Sequence, residues 1–197
     1  MSLAGLLLAA GAGRRMGRPK ALLRDAHGVP FLDRALGVLV DGGCDRVTVV
    51  LGAAADEART VLDDAGWSGD EAVRVVVAAD WEEGMGASLR TGLRALDGED
   101  DDAALVTLVD LPDVGTDVLR RVAGAAPAPR RSALVRATYG GRPGHPVLVG
   151  RDHWAGVVAS ARGDHGARDY LAAHEHVACE CGDLATGRDV DRPSDVQ

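Results

Sequence analysis

Apolar positions along this chain of 197 residues come in short unbroken runs, and amphipathic stretches separate them. Residues 3–9 are continuously apolar and end in a glycine turn, as expected of a parallel strand buried on both faces. After Pro30, the residues Phe31, Leu32, Ala35, Leu36 and Leu39 recur at helical spacing until Gly42-Gly43 stops them. The pattern then predicts a strand over 47–51, a helix over about 54–65 and a strand over 73–78. A helix over 87–96, an acidic loop over 98–102 and a strand over 103–109 follow. Beyond Asp110 it predicts a helix over 116–125 capped by Thr116, a Pro-rich loop over 126–129 and shorter strands over 133–136 and 146–149. Helices over 152–161 and 166–174 and a strand over 177–181 complete it. Strands alternating with helices at this spacing imply right-handed crossovers and a mainly parallel, twisted sheet covered on both sides, a three-layer α/β sandwich.

Composition narrows the classes. With 46% hydrophobic residues the chain supports one sizeable core, so residues 1–197 read as a single domain, with no internal repeat or linker. A net charge of -8 argues against a nucleic-acid partner or an anionic membrane surface, since either asks for a broad basic face. No run is long enough to cross a bilayer, and the apolar start lacks a basic leader. Three cysteines, Cys44, Cys179 and Cys181, fit a reducing cytoplasm better than a disulfide framework. The low aromatic content, 3%, reads as genomic bias.

An acidic chain must meet any anionic ligand locally, and the turn after the first strand does so: Arg14, Arg15, Arg18 and Lys20 fall within seven residues. Lys20 is the one lysine among 22 basic residues, which suggests a position that needs a compact ammonium. Glycines between a buried strand and the next segment let backbone N–H groups converge on an oxyanion, which suits a polyphosphate. A Walker A loop is excluded, because Gly17 is followed by Arg18 and Lys20 by Ala21. A dinucleotide fingerprint is excluded too: Gly17 comes one place late, and no acidic residue follows the second strand.

Asp110 sits where a buried strand delivers a carboxylate to the carboxyl edge of the sheet, a place suited to holding Mg²⁺ against phosphates. Asp113 is a weaker candidate. The run His174, His176, Cys179, Cys181 offers four side chains of zinc-ligating type. On a strand, however, Val177, Cys179 and Cys181 share one face and read as core filler.

The stretch LLLAAGAGRRMGRPKALL resembles the L-A-A-G-x-S-x-R-M-G-x-x-K signature of the molybdopterin nucleotidyltransferase superfamily, and within it the molybdenum cofactor cytidylyltransferases. Gly13 stands where the family usually has serine. Asp189-Val190-Asp191-Arg192-Pro193-Ser194-Asp195 is similar to the family's D-x-D-T-P-x-D segment, whose second aspartate, here Asp191, would supply another metal ligand. The alternative at Asp191 is a cap ahead of a Pro-started final helix. The segment from Asp80 to Leu89 resembles N-x-x-W-x-x-G-x-x-x-S-L, with Ala78 at the asparagine position and Trp81 and Ser88 retained. Trp81 can pack on a ring or cover the sheet end. Gly141 to Pro146 and Gly163 to Arg168 resemble the G-x-P-G-H-P and G-D-x-G-A-R elements.

The resemblance implies a Rossmann-like nucleotidyltransferase fold and a Mg²⁺-dependent transfer of CMP from CTP to molybdopterin with release of pyrophosphate. It assigns Arg15, Lys20 and Asp110 to catalysis, and Leu8, Ala9, Ala10, Gly11, Ala12, Gly13, Arg15, Lys20, Trp81 and Ser88 to the nucleotide. Gly144, His145, Asp164 and Arg168 fall to the acceptor, and Asp110 and Asp191 to the metal. A molybdoenzyme is the implied recipient of the product. Ala9-Ala10 favours cytosine, because the guanylyl branch typically carries Gly-Gly there. The alternatives are a guanylyltransferase on the same acceptor, a sugar-phosphate nucleotidyltransferase, a non-catalytic cofactor carrier and a nicotinamide oxidoreductase.

Overall fold

The structure, a computed structural model, describes residues 2–192 and 195. The first half runs β1 (Leu3–Ala9), α1 (Phe31–Asp41), β2 (Arg46–Leu51), α2 (Ala55–Asp64), β3 (Val73–Val77), α3 (Met85–Leu96) and β4 (Ala103–Leu108). The second runs α4 (Thr116–Gly124), β5 (Leu134–Tyr139), β6 (Arg142–Gly150), α5 (Arg151–Ser160), α6 (Arg168–Ala173) and β7 (Val177–Glu180). One sheet orders the strands β3-β2-β1-β4-β6-β5-β7. β1 pairs in parallel with β2 and β4, and β2 with β3; β6 alone runs against its neighbours β4 and β5.

β1 shows why its sequence is apolar throughout. Leu3, Leu7 and Ala9 enter the core shared with α1, α2 and α4, while Ala4, Leu6 and Leu8 enter the opposite core against α3, α5 and α6. Each fully buried leucine contributes about 1.5–3 kcal/mol relative to exposure, which leaves no face of this strand for a polar residue. The chain leaves β1 toward β2 on one side and returns to β4 on the other. The carboxyl ends of β1 and β4 therefore flank the switch point at which open α/β sheets hold ligands.

Two expectations change. β5 and β6 are longer than the apolar runs suggested, because Gly140 and Gly141, with φ of 58° and 75°, form a two-residue turn between the pair Tyr139 and Arg142. Thr138 continues the strand by donating to the Glu180 carboxylate (2.8 Å), and Tyr139 is buried. Thr116 is the first residue of α4 rather than its cap; Gly115, with extended backbone, takes the cap position. No helix among the described residues is long and apolar enough to cross a membrane.

Candidate active site

A cleft of about 370 Å³ opens at the carboxyl ends of β1 and β4. One wall is the glycine turn, where the amide of Met16 donates to the carbonyl of Gly13 (2.8 Å). Gly13 has φ 59°, and a Cβ there would lie 1.9 Å from the carbonyl oxygen of Arg18. In this conformation the position excludes the serine usual in the signature, for steric as well as backbone reasons. A single 3-10 turn, Lys20–Leu22, buries Ala21 and directs Lys20 back across the loop.

Lys20 is the convergence point. Its Nζ donates to Asp110 Oδ2 (2.5 Å) and to Asp191 Oδ1 (2.7 Å), while Arg15 Nη1 donates to Asp191 Oδ2 (3.0 Å). Asp110 is almost fully buried, and burial pushes its carboxyl pKa up against the opposing pull of Lys20. Burial alone would lower the Lys20 pKa, but Asp110 and then Asp191 more than offset it, so the ammonium is held above its ordinary value. The hydrogen bond from Lys20 holds Asp191 below the usual carboxylate range.

Asp191 reaches this point because the C-terminal segment docks on the loop after β4. Val190 is buried and its amide donates to the carbonyl of Asp110 (3.0 Å). Upstream, Asp113 Oδ2 accepts from the amide and hydroxyl of Thr186 (2.6 and 2.5 Å). Asp113 thus anchors the segment that carries Asp191. The Pro-started helix expected after Asp191 lies outside the described residues.

The opposite wall is the 3-10 turn Trp81–Glu83 and the start of α3. Buried Arg90 secures it, with Nη2 donating to Asp80 (2.7 Å) and Glu83 (2.6 Å) and Nη1 to the carbonyl of Ala161 (3.0 Å). Asp80 is held below its ordinary pKa by that guanidinium. Trp81 and buried Ser88 line the cleft with Met85, and a Cβ on Gly84 would meet Asp164 Oδ1 at 2.4 Å. That close approach seats the turn 163–166 on the wall and brings Asp164 into the cleft.

The sequence-predicted residues divide accordingly. Leu8, Ala10, Gly11, Ala12, Gly13, Lys20, Trp81, Ser88, Asp110 and Asp164 line the cleft together. Ala9 does not; its side chain points into the α1-side core. Exposed Arg15 is turned to Asp191, and it is Arg14 that lines the cleft, with no ion-pair partner among the described residues. Gly144 and His145 on β6 and Arg168 at the start of α6 are not among the residues that line the cleft. Sequence reasoning missed Arg14 because a turn of four cations does not reveal which one faces inward.

The structure does not gather the His/Cys run into one cluster. Cys179 and Cys181 are buried in the core, His174 stacks on Tyr170 (ring centroids 3.9 Å apart), and Val177 is exposed at the sheet edge rather than packed with the cysteines. Among the described residues no group of three or more His, Cys, Asp or Glu side chains is placed to hold a metal. Any ion at Asp110 and Asp191 would therefore complete its shell with substrate oxygens and water.

A family profile described as the MobA-like NTP transferase domain matches residues 5–177. The nicotine blue oxidoreductase of Paenarthrobacter nicotinovorans is 35% identical over 196 residues, 95% of this chain and 91% of that protein. The molybdenum cofactor guanylyltransferase of Rhodobacter capsulatus is 31% identical over 160 residues, 80% of this chain and 68% of that one. Among solved structures, Rv0371c of Mycobacterium tuberculosis superposes with a TM-score of 0.78 at 26% identity, covering 99% of this chain and 95% of its own. A structure of Rv0371c in complex with manganese superposes with a TM-score of 0.73 at 25% identity, covering 99% and 96%.

Proposed function

This chain belongs to the MobA-like NTP transferase family, and from that premise we propose that it transfers a nucleotidyl group from a nucleoside triphosphate to a molybdopterin-type phosphorylated acceptor in the cytoplasm, CTP being the favoured donor. One observation carries the reading: Lys20, Asp110 and Asp191, from three distant segments, meet beside a glycine turn at the switch point of the sheet.

The two carboxylates fit a hard divalent cation such as Mg²⁺. A single ammonium already stands within hydrogen-bonding distance of both, and neither sulfur nor imidazole is offered. A relative of the same fold has been solved with manganese. When bound, the ion neutralises charge on the phosphate oxygens. Asp110 and Asp191 would hold such an ion, and Lys20 would then be available to follow charge on the α-phosphate. The turn amides and inward-facing Arg14 hold the β- and γ-phosphates, and Arg15 keeps Asp191 oriented.

An oxygen of the acceptor phosphate attacks the α-phosphorus in line. The new P–O bond forms as the bond to the β-phosphate oxygen breaks, and pyrophosphate leaves with the electron pair. The acceptor phosphate is already an oxyanion, so no general base is required; positioning and charge neutralisation carry the rate.

Of the two alanines, Ala10 alone lines the cleft. The methyl that a glycine would lack there leaves less room for the larger purine and so favours cytosine, by about 10- to 200-fold at most. The Rhodobacter capsulatus relative is a guanylyltransferase, which makes the comparison of donors decisive. Purified molybdopterin is supplied with Mg²⁺ and each nucleoside triphosphate, pyrophosphate release is followed, and the dinucleotide is identified by mass. A GTP preference overturns the base assignment, and absence of Mg²⁺-dependent pyrophosphate release overturns the reaction.

The name of the Paenarthrobacter nicotinovorans relative, nicotine blue oxidoreductase, favours a second reading, an oxidoreductase. β2 ends in Leu51-Gly52 without the carboxylate that dinucleotide-binding turns use to hold a ribose. Oxidation of a reduced nicotinamide cofactor, with no pyrophosphate released from any triphosphate, would establish that reading.

A further inference from the structure

Two inward cations are paired with acids: Lys20 lies between Asp110 and Asp191, and Arg90, 8% exposed, is held by Asp80 and Glu83. Arg136 on β5, like Arg14 in the cleft and the half-buried Arg130 and Arg151, has no acid partner among the described residues. It is half-buried, its one hydrogen bond among the described residues runs from Nε to the carbonyl of Gly144 (3.4 Å), and no carboxylate pairs with it among those residues. The outer edge of its guanidinium fork has no protein acceptor among them.

Its surroundings add positive charge. Arg136 faces the same side of the sheet as Leu134, Val147 and Val149, toward the core beneath α5 and α6. Arg136 pairs with Val147 and Thr138 with Pro143, so the register shift sets Ala137 opposite residues 144–146 and keeps His145 next to the Arg136 pair. Burial first, and then Arg168, push the Arg136 pKa down; burial first, and then Arg136, push that of His145 down to about 4. Because β6 runs against β4, Gly144 and His145 lie beyond Val106 and Val147, at the end of the sheet that carries Asp110.

An unpaired, partly buried guanidinium beside a second arginine is costly unless something compensates it. In a chain of net charge -8 carboxylates for this purpose are abundant, yet among the described residues none pairs with Arg136. We propose that Arg136, with Arg168 beside it, forms an anion subsite on the β5–β6 flank of the cleft and holds a phosphate-type group of the acceptor. This rests on the nucleotidyl-transfer reading for the identity of the acceptor, but not for the presence of the subsite. A guanidinium fork suits such a group because it can donate two parallel hydrogen bonds to it. His145, kept neutral, borders the subsite without adding a permanent charge.

Inorganic phosphate is the probe for the subsite itself. Added to the full chain without nucleotide or metal, it should shift the Arg136 Nε–H and His145 ring resonances saturably. The Arg136→Gln variant should lose the His145 response, and Arg136→Lys, which keeps the charge but not the fork, should retain a weaker one. In turnover with molybdopterin, Arg136→Gln should raise the acceptor KM by about tenfold, as loss of a charged hydrogen bond predicts, while the triphosphate KM stays within about twofold. The proposal is overturned if phosphate leaves these resonances unmoved in a folded wild-type chain, if the acceptor KM is unchanged, or if the triphosphate KM rises equally. Failure of the transfer reading is distinct: no pyrophosphate is released by the wild type, while the phosphate titration still reads the subsite.

Discussion

On the β1–β4 side of the cleft, Lys20 is clasped by two carboxylates, whereas on the β5–β6 side Arg136 has a carbonyl at 3.4 Å and no acid among the described residues. On the proposed reading, a divalent ion held by Asp110 and Asp191 would free the first cation, and an anionic ligand would offset the cost of leaving the second unpaired. A site with interchangeable internal partners suits a reactant that arrives with its own metal; a bare guanidinium suits one that brings charge alone.

The largest effect should come from breaking the clasp. Asp110→Asn removes the buried acceptor that positions Lys20, and we expect turnover to fall by about 10²–10³-fold, read as pyrophosphate release with folding confirmed by circular dichroism. Lys20→Arg keeps the charge and loses the compact donor. Its kcat should fall by more than about tenfold, and turnover within a few-fold of wild type would refute the role given to Lys20. If the ammonium stands in for the divalent ion, Lys20→Gln should bind Mn²⁺ more tightly than wild type in the absence of nucleotide, measured by electron paramagnetic resonance.

Stability gives a direct contrast between paired and unpaired arginines. Arg90→Gln leaves Asp80 and Glu83 facing each other without their cation. Those two side chains are 41% and 56% exposed, so solvent tempers the loss to about 1–3 kcal/mol, or several degrees in Tm. Arg136→Gln removes a charge that has no acid to neutralise it, and Tm should stay level or rise. A comparable fall in both variants would erase the distinction between the two sides.

The smallest effects lie in the pH dependence of stability. The folded-state pKa of His145 is about 4, below its ordinary 6.5. The unfolded chain therefore takes up a proton first, and this residue's contribution is lost as pH falls from about 6.5 to about 4. Glu180 accepts from the amides of Gly141, Gly140 and Gly182 and from the Thr138 hydroxyl, with a pKa lowered from 4.5 to about 2. Its contribution is complete above about 4.5 and disappears as pH falls through about 2. Denaturant midpoints of His145→Gln and Glu180→Gln against pH should each flatten their own window, and a Glu180→Gln profile parallel to wild type below pH 4.5 would dismiss the carboxylate clasp on the Gly140-Gly141 turn.

Much of the β1–β4 side of the cleft was legible in one dimension. An unbroken apolar run predicts a strand buried on both faces, and the glycine turn and Lys20 follow within a few residues of its end. The placement of Asp110 at a strand terminus is a local reading of the same kind. The β5–β6 hairpin was less legible because its outer half is polar and is held by Glu180, some forty positions on, and by two glycines with positive φ. Ala9 and Ala10 look equivalent on paper, but the pleat sends one methyl into the core and the other into the cleft.

The amino-acid order by itself determined the succession of strands and helices, the anion-seeking turn and the candidates for its chemistry, because each depends on neighbours within a turn or a strand's length. Tertiary structure alone decided that Asp191 meets Lys20, that Arg14 rather than Arg15 faces the cleft, and that Arg136 lies beside Arg168 without a counter-charge. Those outcomes depend on which distant segments the folded sheet brings together, and no local periodicity encodes the distance between two charges far apart in the chain.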